Sequence, residues 1–188
     1  MKIDDALRAA KDWEENPTWV KRPEVLLSPQ IPKPMHQLAP RTILGAKWWN
    51  DTRKAAYAST NYHCIACGVH KTQAQYRSWL ECHEVYRIDY LAGRMTYLEA
   101  VPLCHLCHCY VHTGRMQALL DRGEVHQAKF TAAMIHGDRI LRVAGLKRLD
   151  PYEGPFAEWG KWRLILNGKE YKPIFKTYED WCKHFDHA

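Results

Sequence analysis

Residues 104–112 read Cys-His-Leu-Cys-His-Cys-Tyr-Val-His, and the spacings inside this stretch organise the rest of the chain around it. Cys104 and Cys107 make a C-x-x-C pair, which turns two thiolates toward one point. His108 and His112 follow at one helical turn, so a helix opening at 105 puts both imidazoles on one face. A second pair, Cys64-Ile-Ala-Cys67, lies upstream, with residues 68–103 between the two. Two such pairs complete a tetrahedral four-cysteine site with no open coordination position, a structural site for which Zn2+ is the expected ion. His63 or Cys109 in place of one cysteine is the alternative ligand set.

The bulk composition agrees with a soluble globular chain. Of 188 residues, 46% are hydrophobic and 26% charged, and no apolar run is long enough for a membrane span. The opening MKIDDALRAAKDWEEN has no apolar signal region, so export is not expected. In a chain that stays inside the cell, seven cysteines with two C-x-x-C pairs read as metal ligands before disulfides. The net charge of +6 suits a phosphate-rich partner without requiring one.

Outward from the cysteines, the pattern predicts a short helix over 3–14 and an extended arm over 17–40, broken by prolines at 17, 23, 29, 32, 34 and 40. Val25, Leu26 and Leu27 would anchor that arm. A helix is expected over 46–59, strands over 79–90 and 95–103 joined by a turn at 91–94, and helix again from past Gly114 to about 146. Asn167-Gly168 between two apolar runs, 162–166 and 170–174, predicts a hairpin with a type I′ turn. Trp181-Cys182-Lys183-His184-Phe185-Asp186-His187 reads as a docking tail.

From 60 to 116, the order C-x-x-C, then Leu80-Glu81-Cys82-His83-Glu84 on a strand, a hairpin, and Pro102-Leu103-Cys104-His105-Leu106-Cys107-His108-x-x-x-His112 resembles the HNH endonuclease family. That resemblance implies an α+β fold. Its core, residues 60–116, would be a zinc-braced ββα-metal unit. Residues 1–59 would add a helical, Pro-rich N-terminal arm, and 117–188 a C-terminal helix plus β-hairpin. It further implies that His83, His108 and His112 hold a catalytic divalent ion (Mg2+, Mn2+, Ni2+ or Zn2+), and that the substrate is DNA. A bacterial or phage-infected cytoplasm is the expected setting, and a homodimer is one arrangement that would cut both strands.

The family's water-activating histidine is replaced here by Glu84, and Glu99 stands near the place of its asparagine. A carboxylate can also take a proton from water, so His83 and Glu84 are the expected catalytic pair. Strand alternation turns Glu84 away from His83 unless the strand is distorted, and a distortion is expected there. Arg41, Lys47, Arg53 and Lys54, interleaved with Trp48 and Trp49, together with Arg115, are the candidate DNA contacts. Two other classes compete. A zinc module on the same fold could bind without cutting. A zinc deaminase would use Cys82-x-Glu84 and Cys104-x-x-Cys107, but Leu103 parts Pro102 from Cys104, and Cys64, Cys67, His108 and His112 would be idle.

Overall fold

Two strands rich in aromatic and β-branched residues, β1 (Glu81–Asp89) and β2 (Arg94–Leu103), pair antiparallel as the spine of the structure. Their turn is closed by the Asp89 carboxylate, which accepts from the Ala92 amide at 2.9 Å. Gly93 follows at φ 67, where a Cβ would meet the Ala157 methyl at 2.8 Å. The computed structural model describes residues 18–186, so the helix expected over 3–14 and His187 lie outside the described residues.

The hairpin carries one irregularity. Val85 pairs with Glu99 and Tyr86 with Tyr97, so Leu98 is an extra residue on β2. Such a bulge shifts the side-chain parity of one strand against the other. Val101 and Leu103 therefore pack with the cysteines, while Met95, also odd-numbered, packs with Trp162 and Leu164 in a second cluster. The bulge lies beyond His83 and Glu84, whose pairing with Val101 and Ala100 is regular. The distortion expected at 83–84 is thus found one step further along. His83 and Glu84 point to opposite faces, and both are buried because both faces are covered.

One face is covered by α1 (Pro40–Ser59), which packs on β2 through the Trp48–Tyr97 ring contact and is bent at Gly45, φ 85. Proline at its first position costs no helical hydrogen bond. The other face meets α2 (His105–Val111), followed by α3 (Thr113–Asp121) and α4 (Gln127–Val143). Gly137 of α4 lies against the ring of Tyr110, which lets the two helices approach closely.

Strand β3 (Arg163–Leu166) joins β2 in parallel and β4 (Lys169–Tyr171) joins β3 antiparallel, giving a four-stranded mixed sheet in the order β1-β2-β3-β4. Asn167 at φ 51 and Gly168 at φ 74 make the anticipated turn. The last strand stops before Pro173, which has no amide to donate. The arm is not plainly extended: it makes 3-10 turns at Pro23–Leu26 and Lys33–Met35, with Val25 and Leu26 buried. Helix α5 (Tyr178–Asp186) docks on that arm, where Trp181 Nε1 donates to His36 Nδ1 at 3.1 Å. The architecture is mixed α+β, and no helix among the described residues is long and apolar enough to cross a membrane.

Candidate metal centre

The first cysteine pair sits on a tight knuckle. Cys64 N donates to Val69 O at 2.9 Å, and Gly68 N to Cys64 O at 2.8 Å. Gly68 takes φ 81, a conformation in which a Cβ is disfavoured. Ile65 N donates to Pro102 O at 2.9 Å, tying this knuckle to the end of β2 just before the second pair. Cys104 caps α2 and Cys107 lies in its first turn. The four sulfurs lie within 4.8 Å of one another, with Cys67 and Cys104 at 3.8 Å and Cys64 and Cys107 fully buried.

Hydrogen bonds from Cys107, Cys64 and Cys67 push Cys104 toward the thiolate. Its bond to Cys104 holds Cys67 protonated, and a separate bond to Cys104 raises Cys107. Four sulfurs this close in a buried pocket cannot all ionise without a cation among them. The donor set therefore fits a metal ion. His136 of α4 adds Nε2 at 3.4 Å from Cys107 Sγ and 3.9 Å from Cys104 Sγ.

The second cluster joins β1 to α2. The nitrogens of His83, His108 and His112, one from each ring, lie within 4.8 Å of one another. Ring centroids are 5.0 Å apart for His83–His112, 5.8 Å for His83–His108 and 4.6 Å for His108–His112. Burial, then the neighbouring imidazoles and Arg41, push His83 down to about 2. Burial, His108 and the arginines Arg115 and Arg41 push His112 down to about 3. Neutral imidazoles are the ligand form, so this set also fits a cation.

Glu81 braces the cluster from behind. Its carboxylate accepts from His108 Nδ1 at 2.7 Å and from His105 Nδ1 at 3.2 Å, and Arg77 reaches it as well. Burial opposes ionisation of Glu81, but the bonds from His105 and His108 outweigh it and hold the carboxyl far below its usual range. His105 is pushed up to about 9, first by Cys109 and then by Glu81. A carboxylate on Nδ1 fixes the ring of His108 and leaves Nε2 for an ion. On the opposite side Ser28 of the arm places Oγ 3.0 Å from His83 Nε2.

The structure brings some of the anticipated residues together and leaves others apart. Arg41 Nη1 is 3.3 Å from Glu84 Oε2, across the edge of the hairpin. Burial raises Glu84, Arg41 and His108 work the other way, and its Oε1 is buried without a partner. Glu84 is not among the residues converging on the histidine cluster. Arg115 is exposed one turn beyond His112 and acts on it electrostatically. Lys47 is exposed and paired with Asp51 at 2.7 Å, Arg53 donates to Asn50 at 2.9 Å, and Lys54 is exposed on the same helix. Glu99 is taken by Arg22 at 2.7 Å.

Glu81, Ser28 and His136 carry no local motif. Glu81 could have been noticed from its i, i+2 relation to His83, whereas Ser28 and His136 are brought in only by the fold. No family model matches the chain, and no curated protein and no solved structure matches it.

Proposed function

We propose that this chain is a metal-dependent, HNH-type endonuclease that hydrolyses DNA phosphodiester bonds. The four cysteines would hold a structural Zn2+ and His83, His108 and His112 the catalytic divalent ion. One observation carries the reading: three imidazoles, those of His83 and His112 kept neutral by burial, converge where a hairpin strand meets a helix, beside a cysteine cluster that anchors that helix. A divalent ion there supplies a Lewis acid for a phosphoryl oxygen. Arg41, whose side chain is half exposed, offsets the charge of the scissile phosphate. Glu84, its proton affinity raised by burial, accepts a proton from the attacking water. The water oxygen bonds to phosphorus as the bond to the leaving strand oxygen breaks, and solvent protonates that oxygen. Lys47, Arg53, Lys54 and Arg115 contact flanking phosphates.

The second reading is a module on the same fold that binds nucleic acid or a protein without cutting. It draws on the position of Glu84, which faces α1 and is engaged by Arg41. Plasmid nicking with Mg2+, Mn2+ or Ni2+, comparing the native chain with His112→Ala and Glu84→Ala, separates the two. Nicking lost in both variants while circular dichroism is unchanged supports the nuclease. No nicking by the native chain under any ion leaves the binding module.

A further inference from the structure

We infer that Ser28, in the N-terminal arm, is a positioning residue for the histidine centre. Its hydroxyl oxygen accepts the Nε2–H of His83 and thereby reserves Nδ1 of that ring for the ion. The inference rests on the reading of His83, His108 and His112 as an ion site.

A serine hydroxyl has one proton. Ser28 Oγ lies 3.2 Å from the carbonyl oxygen of Val25 and 3.0 Å from His83 Nε2. The carbonyl can only accept, so the Ser28 proton goes to Val25 and the oxygen lone pair faces His83. Nε2 must then be the protonated nitrogen, and a neutral imidazole with Nε2–H has a bare Nδ1. The opposite assignment spends the Ser28 proton on Nε2. It deprives Val25 of that donor and puts the ring's own proton on Nδ1, leaving His83 no nitrogen for a cation.

Ligation through Nε2 also fails on space. An oxygen in hydrogen-bonding position at 3.0 Å fills the region that a metal–nitrogen bond of about 2.0–2.1 Å needs. His108 is set by the same logic but in the other sense, because the Glu81 carboxylate on its Nδ1 leaves Nε2. His83 therefore offers Nδ1 and His108 Nε2.

Ser28 can impose this because the arm is fixed before it by the anchors at 22–26 and after it by Tyr90, whose hydroxyl donates to Gln30 O at 2.7 Å. Val25 and Leu26 are buried in the cluster that contains Cys64, Cys104 and Cys107. Arg22 N donates to Ile65 O at 2.8 Å, and the Arg22 side chain pairs with Glu99 of β2 at 2.7 Å. A residue far from the cysteines and histidines in sequence is thus held on the third wall of the cluster.

The test uses the full-length, zinc-loaded chain. Nitrogen NMR of its histidines, with no second ion added, is expected to report the Nε2–H tautomer for His83 in the native protein and a mixture in Ser28→Ala. Calorimetric titration with Ni2+ is expected to give about tenfold weaker binding for Ser28→Ala, the lower end of the 10–100-fold typical of such partners, with Ser28→Thr near native. A native His83 protonated on Nδ1, or Ser28→Ala binding Ni2+ as tightly as the native chain, overturns the inference. If the native chain and His112→Ala both take up no Ni2+, the ion-site reading falls, and the His83 tautomer still decides the role of Ser28.

Discussion

Replacing Glu81 by alanine tests whether the histidine cluster is a braced site or a chance gathering of rings. The side chain is 16% exposed and accepts from His108, 22% exposed, and from His105, 6% exposed. Hydrogen bonds to charged groups contribute about 1.5–3 kcal/mol each. The Arg77 contact is 41% exposed on the arginine side and adds about zero after solvent screening. Taking the low value for the two imidazole bonds gives a loss of about 3 kcal/mol near neutral pH. Because the folded-state pKa of Glu81 is depressed, its contribution is present above the usual 4.5 and is lost as pH falls below that value. His105 is raised to about 9, so the charged pair also fades as pH rises through 9. Since His105 contributes fully only below its ordinary 6.5, the difference between native and Glu81→Ala chains should be largest between 4.5 and 6.5 and decline toward pH 9. Urea denaturation of the zinc-loaded proteins at pH 4, 7 and 10 measures it. A loss under about 1 kcal/mol at pH 7, or an equal loss at pH 4 and 7, refutes the reasoning.

Cys104→Ser should bind less than one zinc per chain and lose cooperative unfolding, because a structural zinc contributes roughly 10 kcal/mol or more to folding; metal counting and calorimetry check it. Gly137→Ala places a methyl inside the Tyr110 ring and forces α2 and α4 apart, so a loss of about 1–3 kcal/mol is expected in urea, with zinc content unchanged. His83 and His112 are depressed to about 2 and 3 from an ordinary 6.5, so without a second ion they make the fold weaken as pH drops from 6.5 toward 3, while the unfolded chain takes up protons the native state refuses. His112→Ala should flatten part of that acid-side decline in a series of urea midpoints.

The elements around the cysteines were legible because their signals are local. The two C-x-x-C pairs, the i, i+4 histidines and Asn167-Gly168 each constrain a single turn of chain, and the structure has the strands and helices they predict. The bracing groups were not legible, since Ser28 and His136 reach their partners only when the arm and α4 fold back. The bulge at Leu98 was equally hidden. Met95, Val101 and Leu103 share one parity, so alternation alone puts them on one face, although packing divides them between two clusters. The segment from Trp181, read from sequence as a docking tail, packs on the N-terminal arm as far as it is described. His184 bonds to Gln37 at 2.6 Å and its ring lies tilted against Phe175, a docking role for the described part of that tail.

The regular pairing at His83 and Glu84 bears on chemistry through the position of β1 in the sheet. In the interior of a sheet, opposite faces are sealed from each other by neighbouring strands. Among the described residues β1 is an edge strand, so a long side chain beside it can address both faces. Arg41 pairs with Glu84 on the α1 face, and its charge is one of the lesser influences, after burial, that lower the proton affinity of His83 and His112 on the α2 face. Alternation therefore separates Glu84 from His83 by the thickness of one strand, with Arg41 in contact with Glu84 and felt electrostatically by His83. The proposed nuclease therefore requires a phosphate held by Arg41 to be reached by Glu84 from one face and by the imidazoles from the other, and loss of nicking in Glu84→Ala is the result that requirement predicts.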